Sequence, residues 1–182
     1  MLLRRIGSTI LLILGLAACS SPEPPPQFPD IRFAQGATIR LDVSDIDIVS
    51  TFEPTFQAPQ VEQHFPVPPQ RAIENWVHDR LHADNPGSPL RARITIIDAS
   101  AREAEGGARY DARASARVDI IDEHGLALRT AHAEATRTRS IEPDASADER
   151  DLLWYAMTRE LVGSLTAELE KQIRTNFYPY VL

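Results

Sequence analysis

Apolar residues along this chain fall into two rhythms, one of period two and one of period three to four, and their order sets out a fold. Ile39, Leu41 and Val43 alternate with polar neighbours, as a half-buried strand requires. Ile46 and Ile48 continue the alternation in the opposite phase, which predicts a bulge near Ser44-Asp45, because an inserted residue reverses the face each side chain meets. Pro54, Pro59, Pro66, Pro68 and Pro69 then interrupt every pattern and predict a long irregular connection. A helix is expected from Pro69 or Gln70, since proline is tolerated in a first turn. Ile73, Trp76, Val77 and Leu81 share one side of it, and Asn85-Pro86-Gly87 is its expected end.

Three strands should follow. Residues 93–98 carry Ile94, Ile96 and Ile97. Residues 110–121 alternate most cleanly, with Tyr110, Ala112, Ala114, Ala116, Val118 and Ile120 facing one way and Asp111, Arg113, Ser115, Arg117 and Asp119 the other. Asp122-Glu123-His124-Gly125 reads as a turn, with glycine free to take positive φ. The returning strand, about 126–141, puts Ala131, Ala133 and Ala135 on one face. Small side chains on two neighbouring strands leave room for a helix to lie close across them. That helix is the last element: Ser146 and Glu149 have capping-box spacing, and Trp154, Met157, Leu161, Leu165, Leu169 and Ile173 recur at steps of three and four. From Ala147 to about Thr175 it would span roughly 40 Å at 1.5 Å per residue. The predicted order is β-α-β-β-β-α, an α+β two-layer sandwich with a mainly antiparallel sheet and a long C-terminal helix.

The first eighteen residues belong to a different pattern. Arg4 and Arg5, the apolar run Ile10 to Leu16 and the small residues before Cys19 make the three parts of a secretory signal. The run is too short for a membrane-spanning helix, which needs roughly 20 residues. Arg4-Arg5 lacks the rest of a twin-arginine signal. Leu16-Ala17-Ala18-Cys19 resembles the lipobox of bacterial lipoproteins. By that resemblance the signal spans 1–18, is removed, and leaves Cys19 carrying a diacylglycerol and an acylated amino terminus. Several acyl chains, at roughly 0.8 kcal/mol per buried CH₂, hold a protein far more firmly than one. Ser20 stands where inner-membrane lipoproteins commonly carry Asp, so the resemblance implies the periplasmic face of the outer membrane, with the bilayer bound through the acyl anchor. Residues 19–36 form a proline-rich tether that favours extended polyproline II, and 37–182 the periplasmic domain.

Composition narrows the functional classes. Loss of the signal leaves 17 basic against 26 acidic residues, a net charge of −9. An acidic domain is a poor match for nucleic acid, whose binding needs a positive surface. Cys19 is the only cysteine, so no internal disulfide forms and thiol catalysis and cysteine zinc sites are excluded. With 43% hydrophobic residues the domain has enough apolar side chains for a core without such staples. His78 and His82 would lie one helical turn apart, but zinc needs a third protein ligand and none stands at ligand spacing. No nucleophile elbow or phosphate-binding glycine loop occurs. The acid pairs Glu103/Glu105 and Asp148/Glu149 read as solvated or helix-start charges. These observations lead us to expect no catalytic residues, no metal and no cofactor beyond the covalent lipid.

Two features are candidates for binding a partner. Arg113, Arg117, Arg129, Arg137 and Arg139 read as a basic stripe on the strands, fitted either to an anionic partner or to cross-strand pairing with Asp111, Asp119 and nearby glutamates. The uncharged end Phe177-Tyr178-Pro179-Tyr180-Val181-Leu182 either tucks against its own core or docks on a partner, because chain ends are ordinarily polar.

Phe65-Pro66-Val67-Pro68-Pro69, Trp76-Val77-His78-Asp79-Arg80-Leu81 and Glu149-Arg150-Asp151-Leu152-Leu153-Trp154-Tyr155, with the leader and tether, resemble a group of proteobacterial envelope lipoproteins. The resemblance brings no activity and no catalytic residues. In element order and tethering alone the chain also resembles the lipopolysaccharide-assembly lipoprotein and the auxiliary lipoproteins of ABC-type lipid transport. The expected role is a non-catalytic accessory subunit of an envelope assembly or lipid transport complex, with an envelope protein as partner. The alternatives are a stand-alone binder of lipid or small ligands and a regulator of a peptidoglycan enzyme.

Overall fold

The computed structural model describes residues 26–104 and 106–182; Cys19 and the signal lie outside them. The elements are β1 (Ile39–Leu41), β2 (Ile46–Ser50), a 3₁₀ turn (Glu62–His64), α1 (Pro69–Arg80), β3 (Leu81–Ala83), β4 (Arg91–Asp98), β5 (Ala101–Glu103), β6 (Arg109–Ile121), β7 (Ala127–Ser140) and α2 (Ala147–Asn176). β6 is the hub of the main sheet. β7 runs antiparallel along its whole length on one side, while β4 and then β5 share the other. β2 adds to β4 in parallel, and β1 pairs in parallel with β3 in a small separate sheet. The result is the expected α+β domain: a mostly antiparallel sheet covered by helices on one face.

The phase change at Ser44-Asp45 is real, but it marks a change of partner rather than a bulge. The Ser44 N–H and hydroxyl both donate to the Leu90 carbonyl at 2.9 Å, and the chain then leaves β3 and joins β4. α1 is shorter than expected. It stops at Arg80 because Leu81 turns extended, at φ −102° and ψ 131°, to pair with Ile39. Asn85-Pro86-Gly87 forms a later turn, with Ser88 N–H donating to the Asn85 carbonyl. β3 and β5 are three residues each, too short to show a period.

α2 lies across β6 and β7 as the alanines predict. Ala114, Ala116, Ala131 and Ala133 are buried beneath it, and Trp154, Met157, Leu161, Leu165, Leu169 and Ile173 all point into the core. Its start is closed by the capping box: Glu149 N–H donates to the Ser146 hydroxyl at 3.3 Å, and Ser146 N–H donates to the Glu149 carboxylate at 2.8 Å. Trp154 anchors this end, stacked on Phe65 at 5.1 Å and edge-on to Tyr110 at 5.4 Å, favourable geometries for aromatic pairs.

The two helices are locked by one polar cluster. Glu170 on α2 accepts hydrogen bonds from Arg80 Nε at 2.9 Å and Nη2 at 2.7 Å, and from the Trp76 indole at 2.9 Å, both residues on α1. Burial alone would raise the Glu170 carboxyl, but these donors and the charges of Arg80 and Arg174 outweigh it and hold it below the ordinary carboxylate range. Arg80 Nη1 reaches back to the Gln35 carbonyl at 3.1 Å. Gly36, at φ +117°, sits against that guanidinium, where a Cβ would come within 2.4 Å of Nη1.

Both ends of the described stretch are packed. Phe28 lies on Tyr155 at 5.4 Å, Ile31 is buried, and Asn75 donates to the Ile31 carbonyl. Arg32 pairs with Asp79, whose carboxylate also accepts from Phe33 N–H at 2.7 Å. The chain is therefore laid along α1 well before residue 37, and packing begins inside the stretch read as tether. At the other end Asp42 N–H donates to the Tyr180 carbonyl and Leu182 N–H to the Arg40 carbonyl, each at 2.9 Å. The last residues thus extend the β1 edge.

Candidate functional site

Residues paired across a sheet share a face, and the register of β6 with its neighbours sorts every side chain. Val118 opposite Ile94 and Ala131, and Ala116 opposite Ile96 and Ala133, face the helices. Thr95, Arg117 and His132 lie on the other face, as do Asp119, Thr130, Arg113 and Thr136. Among the described residues no helix covers this second face. It is polar and charged throughout its middle.

The arginines read as one stripe divide between the two faces. Arg113 and Arg117 are on the open face. Arg129, Arg137 and Arg139 stand opposite Ile120, Ala112 and Tyr110, on the helix side. Their parity with Ala131, Ala133 and Ala135 carried this information in the sequence: odd positions from 129 to 139 must share a face. Arg137 meets the Ser164 hydroxyl, Arg139 pairs with Glu160, and Arg129 lies over the Tyr180 ring at 5.8 Å. These three bind β7 to α2 and to the C-terminal end. The Arg139 hydrogen bond holds the Glu160 carboxyl below its usual range, outweighing its partial burial.

On the open face the charges pair mostly along β6, at steps of two. Arg117 Nε donates to Asp119 at 2.8 Å, and Arg109 donates to Asp111 at 2.9 Å. Thr130 and Thr138 add cross-strand bonds to the same two aspartates, at 2.6 and 2.7 Å. The Thr138 hydrogen bond is the main reason the Asp111 carboxyl sits below its ordinary value. Ser115 and His132 share a 3.0 Å contact.

Between β5, β6 and β7 this face sinks into a depression of about 450 Å³. Arg102 and Arg113 line it beside Ser100, Thr136 and Thr138, and among the described residues neither guanidinium makes a hydrogen bond or ion pair. Two acids share its wall: Asp98 accepts from the Ser100 N–H at 2.9 Å, and Asp111 is paired with Arg109 and accepts from the Thr138 hydroxyl. Two guanidiniums unpaired among the described residues, beside the Ser100 and Thr136 hydroxyls, could donate to an oxyanion, which accepts from fork-shaped donors. Arg102 was not apparent in the sequence, because the three-residue β5 that positions it shows no alternation.

The C-terminal aromatics separate in the same way. Phe177 has 0% exposure and is a core residue, Tyr180 is half-buried, and Tyr178 is 81% exposed. A surface at this end would be made by Tyr178 and Leu182. The histidine pair does not form one helical face: His78 lies near the end of α1 and His82 in β3, while Asp79 between them is engaged by Arg32. Among the described residues no three His, Cys, Asp or Glu groups gather as metal ligands, and no helix is long and apolar enough to cross a membrane.

No protein-family profile and no curated protein matches this chain. Solved structures similar to it include a minor lipoprotein from Acinetobacter baumannii, 13% identical over 74% of this chain and 93% of that one, with a TM-score of 0.43. The rare lipoprotein B from Shewanella oneidensis is 11% identical over 72% and 97%, with a TM-score of 0.39. A lipoprotein from Neisseria meningitidis is 15% identical over 72% and 99%, with a TM-score of 0.31.

Proposed function

We propose that this chain is a periplasmic lipoprotein, anchored through Cys19 to the outer membrane, that serves as a non-catalytic accessory subunit of an envelope assembly or lipid transport complex. The leader and the Leu16–Cys19 pattern support the anchor. The observation that carries the accessory role is the open sheet face, which no helix covers among the described residues, with Arg102 and Arg113 on it and unpaired among those residues. A guanidinium that is not hydrogen-bonded to a described carboxylate keeps donors for an anionic partner surface. Phe28 packs onto α2 nine residues after Cys19, so the connecting chain reaches at most about 30 Å and the domain works close to the bilayer.

A site-specific crosslink tests this. Arg117→Cys gives a thiol on the open face that spares Arg102 and Arg113, and Glu123→Cys gives one in the β6–β7 turn as a control. A benzophenone maleimide placed at each in intact envelopes should yield a discrete heavier adduct from position 117 and none from 123. Monomer alone from both positions counts against the proposal. The depression supports a second reading, a stand-alone binder of anionic headgroups, which native mass spectrometry would reveal as a bound lipid lost in Arg102→Gln/Arg113→Gln.

A further inference from the structure

The register of β5, β6 and β7 sets the depression on the open face out as two rows of side chains. In the first, Arg113 stands opposite Thr136 on one side, and on the other its N–H donates to the Ser100 carbonyl at 2.9 Å. In the second, Asp111 stands between Arg102 and Thr138. All of these residues line the depression, and neighbouring strands lie about 4.8 Å apart. Arg102 and Arg113 are therefore diagonal neighbours on adjacent strands, both exposed, with long side chains over one floor. Among the described residues neither guanidinium is paired, and the Ser100 and Thr136 hydroxyls make no hydrogen bond. The Thr138 hydroxyl donates to Asp111.

Donors spread over three strands around one hollow match a tetrahedral oxyanion better than a planar carboxylate. One guanidinium fork serves a carboxylate, whereas a phosphate turns its oxygens in several directions, toward two guanidiniums and toward hydroxyls. The charge on the wall narrows the class. Arg109 offsets Asp111 at 2.9 Å, and the Arg137 guanidinium lies on the helix side with Ser164 and Glu160. Arg102 and Arg113 then stand against Asp98 alone, two positive charges against one negative. A phosphomonoester brings about −1.5 to −2 at pH 7, more than this balance matches, whereas a phosphodiester brings a single negative charge. The volume of about 450 Å³ falls in the roughly 300–1,000 Å³ range of small-molecule sites, so the esterified groups have room beside the phosphate. We infer that the depression binds a phosphodiester, with Arg102 and Arg113 on its non-bridging oxygens and the Ser100 and Thr136 hydroxyls beside them. This rests on the open face being a surface for anions, and it specifies the anion.

The probes are glycerophosphoglycerol, a soluble phosphodiester, dihexanoyl phosphatidylglycerol, the same headgroup on a lipid, and acetate. The full lipidated protein is held in dodecyl maltoside micelles, which contain no phosphate, and its amide shifts are followed by NMR. Glycerophosphoglycerol should shift the amides of Arg102, Arg113 and Thr136 and bind about tenfold more tightly than acetate. Arg102→Gln/Arg113→Gln should abolish that preference and leave circular dichroism unchanged, since both side chains are exposed. Arg117→Gln removes a charge from the same face outside the depression and should leave binding unchanged. Tighter binding of the lipid, lost in the double variant, assigns the phosphodiester to a membrane headgroup; equal affinity assigns it to a soluble molecule. Acetate binding as tightly as glycerophosphoglycerol, or Arg117→Gln weakening it as much as the double variant, overturns the inference. If phosphodiester binding is absent while position 117 still crosslinks in envelopes, the phosphate site falls and the accessory reading stands; if both fail, the reading of the open face falls with it.

Discussion

Removing the Glu170 carboxylate should be the most damaging single polar change in the described domain. The side chain takes three donors from α1, and Arg80 beneath it is nearly buried, with its side chain 9% exposed. Glu170→Ala leaves that guanidinium and the Trp76 indole N–H without their acceptor. Taking one partner from a buried ion pair costs about 3–5 kcal/mol. Glu170 itself is 20% exposed, so water recovers part of the loss and about 3 kcal/mol remains. For a domain of this size each 1 kcal/mol lowers the melting temperature by about 2–4 °C, giving a drop of about 6–12 °C. Urea unfolding followed by circular dichroism should show a lower midpoint at unchanged slope. The double variant Arg80→Met/Glu170→Leu removes both charges and should recover a substantial part of the loss. A Glu170→Ala cost below about 1 kcal/mol, or a double variant as damaged as the two single changes combined, would refute this reasoning. The linkage to pH follows the same contacts. The folded carboxyl lies below its ordinary value of 4.5, so its contribution is complete above that pH and fades as pH falls through the depressed value. The stability gap between wild type and Glu170→Gln should therefore narrow in acid.

The other predictions address packing, the ends and the anchor. Ala114→Leu or Ala133→Leu should lift α2 from the sheet and cost about 1–3 kcal/mol in thermal melts, because a buried alanine seat has no room for three more carbons. Truncation before Phe177 should destabilise by about 3–5 kcal/mol through loss of a fully buried ring, whereas Tyr178→Ser should stay within about 0.5 kcal/mol. Ser146→Ala should cost about 1 kcal/mol by opening the capping box, measured by the same melts. Globomycin or Cys19→Ala should leave the leader unprocessed in pulse-labelled cells; normal processing would defeat the lipobox assignment.

Long periodic elements were readable in the residues. β6, β7 and α2 follow their alternations to within a residue or two at each end, because one buried face fixes the register of each. What could not be read depends on partners distant in sequence. β3 exists because β1 captures Leu81–Ala83, and β5 because β6 and Gln60 hold Ala101–Glu103. Neither has enough residues for a period. The site was partly legible. The alternation along β6 places Arg113 and Arg117 on the face away from the helices, whereas Arg102 depends on β5, which is too short to show a period. Arg137 and Arg139 lie on the helix side instead, as their parity with Ala131, Ala133 and Ala135 requires. Nothing local marks Glu62 as buried, since its segment is held across the fold, by the Val61 N–H on the Ala101 carbonyl and the Ala101 N–H on the Glu62 carboxylate.

The account rests on a lipid at Cys19 holding this domain against a membrane. Intact-mass spectrometry of the protein extracted from envelopes reads it directly. The mature chain should begin at Cys19 and exceed the bare polypeptide by a thioether-linked diacylglycerol and an amide-linked acyl chain. A chain beginning elsewhere, or Cys19 carrying a free thiol, would contradict the account.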